Sequence, residues 1–174
     1  MGWGRPRRST VDQWPAWMRG SQVREVTIYS DGACKGNPGP GGWGHIIMSG
    51  RHRAEGSGGE LNTTNNRMEM MGALVALARL KEPCKVTLYT DSRYLCDCFR
   101  KKWFVNWKKN GWRTSRGTQV LNKDLWEKLL EQNARHTIDW KWVKGHSDNE
   151  FNNRCDELAV EARIKIESEA NGGA

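Results

Sequence analysis

The chain repeats itself once, and the repeat constrains the architecture. Val26-Thr-Ile-Tyr-Ser-Asp31 and Val86-Thr-Leu-Tyr-Thr-Asp91 are nearly the same six residues. Each is a β-branched and aromatic run, the composition of a strand, and each delivers an aspartate just past its carboxyl end. In open α/β sheets, ligands gather at that edge. If the two runs are parallel neighbours, about 4.8 Å apart, both carboxylates enter one crevice and repel unless something cationic lies between them. A divalent metal with hard oxygen ligands answers that need. Taken singly, each aspartate reads as a turn initiator, as most strand-end aspartates are; it is the matched pair that brings the metal reading level with it.

Around these runs, strands and helices alternate. Residues 26–30, 43–49 and 51–61 read as a three-strand meander, and 67–81 as a helix with Met71, Leu74, Val75 and Ala78 on one face. A strand over 85–90 precedes helical patterns over about 93–110 and 123–133. Ile138, Trp140 and Trp142 alternate along a last strand. A closing helix runs from 150 to about 167, with Cys155, Leu158, Ala159, Ala162 and Ile166 turned inward. This order is that of an α/β protein with a mixed sheet and helices packed against it. The length of 174 residues suits one domain. The expected division is a basic, disordered N-terminal extension over 1–22, a catalytic domain over 23–167 and a loose tail over 168–174.

The net charge of +8 and ten tryptophans point to a polyanionic partner with faces to stack on. The longest uncharged apolar stretch, Met70 to Ala78, is far too short to span a bilayer, so a membrane protein is excluded. No apolar segment follows the first arginines, so no secretory signal is expected and the location is expected to be cytoplasmic. Five cysteines without a C-x-x-C pair read as free thiols in a reducing compartment. No apolar surface stripe implies a protein partner, which leaves a monomer as the default.

Charge is concentrated between Phe99 and Lys123, where eight basic residues meet no acidic one. Trp103 and Trp107 lie four apart on one helical face, Trp112 follows, and Gly111 is placed to end the helix. An amphipathic helix with buried tryptophans accounts for the indoles but not for the missing acids. A phosphate backbone alongside accounts for the missing acids, and exposed indoles could pack on sugars or bases.

Three further groups stand open to two readings. Glu69 follows Asn66 at capping-box spacing, which makes it either a helix-start partner or a third carboxylate aimed at the crevice. Asp156 lies in the first turns of the last helix, off its apolar face, where it either complements the dipole or joins the acids. His146 sits in a polar loop, either solvated or functional. Gly39-Pro-Gly-Gly-Trp-Gly44 fits G-x-G-x-x-G by letter but precedes a strand rather than a helix, so it reads as a hairpin loop.

Taken together, the segments Tyr29 to Gly44, Thr63 to Glu69, Tyr89 to Ser92, Trp107 to Trp112, Asp124 to Trp126, Trp140 to His146 and Asn153 to Ala159 resemble type 1 ribonuclease H in its bacterial single-domain form. The resemblance covers about 25–163 in unbroken order. It implies a ribonuclease H-like fold with a five-stranded mixed sheet, and hydrolysis of the RNA strand of RNA–DNA hybrids to 5′-phosphate and 3′-hydroxyl ends. It implies two Mg²⁺ ions, with Mn²⁺ as a substitute, held by Asp31, Glu69, Asp91 and Asp156 in a two-metal mechanism. His146 would move a proton or release product. Substrate contacts fall on Gly32, Cys34, Asn37, Thr64, Asn65 and Asn66, and on a basic protrusion carrying Trp103, Trp107, Lys108, Lys109 and Trp112. Arg93 stands where glutamine is expected, which makes that substrate contact charged. Ser147-Asp148-Asn149 varies the loop after His146, and the first 22 residues have no counterpart in the minimal form. The rival readings are a duplex-binding module without catalysis and a nuclease of the same fold acting on DNA.

Overall fold

The computed structural model describes residues 23–145 and 148–172. The sheet has five strands in the order β3-β2-β1-β4-β5. They are β1 (Glu25–Cys34), β2 (Gly39–Ser49), β3 (His52–Thr63), β4 (Lys85–Thr90) and β5 (Thr137–Trp142). β1, β2 and β3 form the antiparallel meander, whereas β4 and β5 run parallel to β1. The helices are α1 (Asn65–Arg79), α2 (Arg93–Arg100), α3 (Trp103–Lys109), α4 (Lys123–Arg135) and α5 (Glu150–Gly172).

The six-residue repeat pairs with itself in register: Val26 with Val86, Ile28 with Leu88, Tyr29 with Tyr89 and Ser30 with Thr90. Alternation sends Ile28 and Leu88 into the main core, beneath α1, α2 and α4. It sends Tyr29 and Tyr89 to the opposite face, where their rings stack at 4.7 Å under Phe151, Cys155 and Leu158 of α5. Trp126 is fully buried in the main core, and Phe99 stacks on Trp140 at 4.3 Å.

Four expectations need correction. The glycine-rich stretch 39–44 is strand, not loop, and β1 continues past Asp31 to Cys34. Glycine is needed there because α5 crosses the strand closely: a Cβ at Gly42 would stand 2.1 Å from the Ala159 carbonyl oxygen. Second, the helical pattern expected over 93–110 is two helices, broken where Lys102 takes a left-handed φ of 55°. The break turns Trp103 and Phe104 back onto Tyr94 and Phe99. Gly111, at φ 73°, ends α3 as expected, with the Trp112 N–H bonded to the Trp107 carbonyl. Third, the buried face of α1 includes Met70, Ala73, Leu74 and Leu77, whereas Ala78 is exposed. Packed against both the sheet and α4, α1 is apolar on more than one side, so periodicity does not single out its core face. Fourth, α5 continues to Gly172, so most of the expected loose tail is helical. The Arg163–Glu167 pair at i,i+4 supports the turn that leads into it, and Glu169 and Ala170 are good helix formers. The expected N-terminal extension lies outside the described residues.

Candidate active site

Asp31 and Asp91 leave the ends of the self-paired repeat, one residue beyond the Ser30–Thr90 pair. Asp31 is still inside the antiparallel ladder, opposite Gly44. Glu69 arrives from the first turns of α1. Carboxylate oxygens of these three residues all lie within 4.8 Å of one another, with Asp31 and Glu69 buried. Local sequence left Glu69 open between a capping partner and a third carboxylate; its carboxylate lies with those of Asp31 and Asp91. The N-cap is Thr64, whose Oγ1 accepts from the Arg67 N–H, and not Asn66. Glu69 instead accepts from the Asn65 side-chain amide at 3.1 Å.

Electrostatic strain marks the cluster. Burial, then the charge of Asp91, pushes the Asp31 carboxyl well above the usual range, although the Gly32 N–H at 2.9 Å opposes this. Burial pushes Glu69 up to about 7, against the Ser92 and Asn65 side chains that favour its charged form. Such a site holds protons unless a cation replaces them. Among the described residues, this trio is the one group of at least three acid, histidine or cysteine side chains with metal-binding spacing, and a hard divalent cation fits its oxygen donors.

Asp156 lies on α5, which packs against β1. Its charge raises Asp31 slightly, but it stands outside the group of three. His146 lies outside the described residues. Its neighbour Gly145 lies against the site: a Cβ there would be 2.6 Å from Asp91 Oδ2.

The other expected contacts fall in two places. Around α1, a Cβ on Gly32 would meet the Glu69 nitrogen at 2.4 Å, so glycine lets β1 touch the helix start. The Cys34 thiol points to the Gly39 and Thr63 carbonyls, Asn37 Oδ1 accepts from the Asn65 N–H, and Asn66 is exposed. The basic segment is a separate surface. Trp107 lies 6.2 Å from Trp103, 5.6 Å from Trp112 and 5.6 Å from buried Trp126, so the indoles form a ladder rooted in the core. Trp103 and Trp107 line, with Lys109 and Arg113, an open cleft of about 450 Å³. Lys108 and Lys109 remain exposed. Arg93 is exposed beside Asp91, its guanidinium 4.2 Å from the Trp142 ring.

Sequence reasoning missed the roles of Ser92, Trp142 and Gly145. Ser92 caps α2 and also steadies Glu69; its place directly after Asp91 was the available signal. Trp142 was read only as part of a strand face, yet its indole bonds the Asp91 carbonyl.

The RNase H family profile matches residues 23–164. Ribonuclease H of Moorella thermoacetica is 57% identical over 137 residues, covering 79% of this chain and 90% of that protein. Ribonuclease H of Acetivibrio thermocellus is 55% identical, covering 80% and 95%. LC9-RNase H1, a type 1 RNase H with the type 2 active-site motif, has a solved structure that aligns with a TM-score of 0.72 at 31% identity, covering 82% of this chain and 73% of that one. LC11-RNase H1, solved in complex with an RNA/DNA hybrid, shares the fold with a TM-score of 0.64 at 24% identity, over 81% and 98%. Matches of this length and identity place the chain in the ribonuclease H family, alongside its bacterial type 1 members.

Proposed function

We propose that this chain hydrolyses the RNA strand of RNA–DNA hybrids, leaving 5′-phosphate and 3′-hydroxyl ends, with residues 23–167 as the catalytic unit. The observation that carries the reading is the convergence of Asp31, Glu69 and Asp91 from three elements onto one buried spot. Asp31, Glu69 and Asp91, with Asp156 beside them, would hold Mg²⁺, with Mn²⁺ as a substitute. When bound, the divalent ions polarise the scissile phosphate and acidify the attacking water.

The chain's own groups do the rest. Asn65 and Ser92 orient Glu69, and the Gly32 N–H orients Asp31. His146, which follows Gly145 in the sequence, moves a proton or helps product leave. Gly32, Cys34, Asn37, Asn65 and Asn66 line the approach to the minor groove, where 2′-hydroxyls distinguish RNA from DNA. The Thr64 hydroxyl accepts from Arg67 and keeps its hydrogen for a DNA phosphate. The Trp103, Trp107 and Trp112 ladder, with Lys108 and Lys109, packs against the DNA strand. Arg93 adds a charged contact beside the cut. The protein acts as a cytoplasmic monomer; among the described residues no helix is long and apolar enough to cross a membrane.

Strand-labelled RNA–DNA, RNA–RNA and DNA–DNA duplexes, with Mg²⁺ and with EDTA, test this reading. Cleavage is expected only in the RNA strand of the hybrid and only with Mg²⁺. Salt-dependent binding without a metal-dependent product would leave a duplex-binding module instead.

A further inference from the structure

The opposite end of the sheet carries a feature that hydrolysis at the acidic cluster does not use. About 20 Å along β1 from Asp31, the surface folds into a cleft of about 480 Å³. Its cationic lining comes from three places: Arg24 ahead of β1, Arg53 at the start of β3, and Arg79 and Lys81 at the end of α1, with His52 beside Arg53. Ile47, Ala54 and Leu80 supply an apolar floor, and among the described residues no carboxylate lines it.

The bland account is that basic groups gather at a helix carboxyl end to complement its dipole. That explains Arg79 and Lys81 but not the cations brought by β3 and the lead-in to β1. Nor are the charges neutralised alike. Arg53 shares Glu55 with Arg154. Arg79 is fixed differently: its Nη1 lies 2.8 Å from His45 Nε2 and 3.2 Å from the Glu55 carbonyl oxygen. Both acceptors are neutral, since burial and the Arg79 charge push His45 down to about 4. They orient the guanidinium without cancelling its charge. Neither Arg79 nor Lys81 has an ion pair among the described residues. A pre-oriented guanidinium is the donor suited to a phosphate, and a cleft of this size with an apolar floor suits more than a bare ion.

We propose that this cleft binds a nucleoside 5′-phosphate, with the phosphate on Arg79 and Lys81 and the base against Ile47 and Ala54. The ligand chemistry has two sources, a free mononucleotide or the 5′-phosphate end of an oligonucleotide.

The test is amide chemical-shift titration of the full chain in EDTA, with AMP, a 5′-phosphorylated trinucleotide, adenosine and inorganic phosphate as separate probes. AMP is expected to shift the Ala54, Leu80 and Lys81 amides with a Kd below about 1 mM. Adenosine and phosphate should bind at least about tenfold more weakly than AMP. Equal binding of the trinucleotide assigns the site to nucleic-acid ends, and its failure assigns it to free nucleotides; either result supports the shared chemistry. Arg79→Gln should weaken AMP at least about tenfold. Because that change also removes the partner of His45, Lys81→Gln, at an exposed side chain, is the second variant, expected to weaken AMP several-fold while hybrid cleavage stays unchanged. The proposal is overturned if AMP shifts only amides near Asp31 and Asp91, if adenosine or phosphate binds as well as AMP, or if neither substitution changes its Kd.

Discussion

Trp142 reaches over from β5 and donates its indole N–H to the main-chain carbonyl of Asp91, 2.9 Å away. Its ring also seats the Arg93 guanidinium, 4.2 Å from the centroid. One side chain thus pins the strand end that bears a carboxylate of the cluster and holds a cation beside it. Trp142→Phe keeps an aromatic face for Arg93 and removes only the donor. It should cost about 1 kcal/mol of stability and weaken Mg²⁺ binding several-fold by calorimetry. Unchanged Mg²⁺ affinity would mean that the hydrogen bond does not position Asp91.

The contact between β2 and α5 should tolerate no added carbon. A Cβ at Gly42 would meet the Ala159 carbonyl oxygen at 2.1 Å and the Arg163 nitrogen at 2.8 Å, both backbone atoms. Gly42→Ala must therefore displace α5, which carries Asp156. We expect a loss of about 1–3 kcal/mol in urea denaturation, with a fall in activity beyond what lost stability explains.

His136 should give a pH dependence of stability far from the site. It is buried, its Nδ1 accepts from the Cys84 N–H at 3.0 Å, and its Nε2 lies 3.3 Å from the Leu77 carbonyl oxygen. Only the neutral ring with hydrogen on Nε2 satisfies both. Burial, then the charge of Arg135, pushes it from 6.5 down to about 4. The unfolded chain takes up this proton first, so the stability is complete above pH 6.5 and is lost as pH falls from 6.5 to 4. The loss attributable to His136 should reach about 2 kcal/mol near pH 5. His136→Gln should be less stable at neutral pH and show a flatter decline; an equally steep decline would contradict the assignment.

Lys108 and Lys109 are exposed and lie on the tryptophan-rich surface. Replacing both with glutamine should weaken hybrid binding and lower the slope of log K against log salt by roughly one to two. Cleavage at saturating hybrid should stay near normal. A large loss at saturation would place these lysines closer to the chemistry than to the DNA strand.

How much of this was legible depends on how far each cue reaches along the chain. The repeated hexapeptide gave β1 and β4, and pairing in register put Asp31 and Asp91 side by side. Local reading failed at the glycines of β2, because a glycine that admits a helix looks like one that makes a turn. It failed on the core face of α1, which is covered on two sides. Glu69 has the spacing of a cap partner, and only its approach to Asp31 and Asp91 removes the ambiguity. The Trp142–Asp91 bond joins residues 51 apart, a distance at which no local pattern speaks.

Asp91→Asn, assayed with Mg²⁺ for both cleavage and hybrid binding, tests the central claim most directly. The substitution keeps size and removes one charge from the cluster. Cleavage should fall by at least about a thousandfold, some 4 kcal/mol of transition-state stabilisation, while hybrid affinity stays within a few-fold of normal. Cleavage close to that of the unaltered chain would show that the convergence of Asp31, Glu69 and Asp91 is not where the RNA strand is cut.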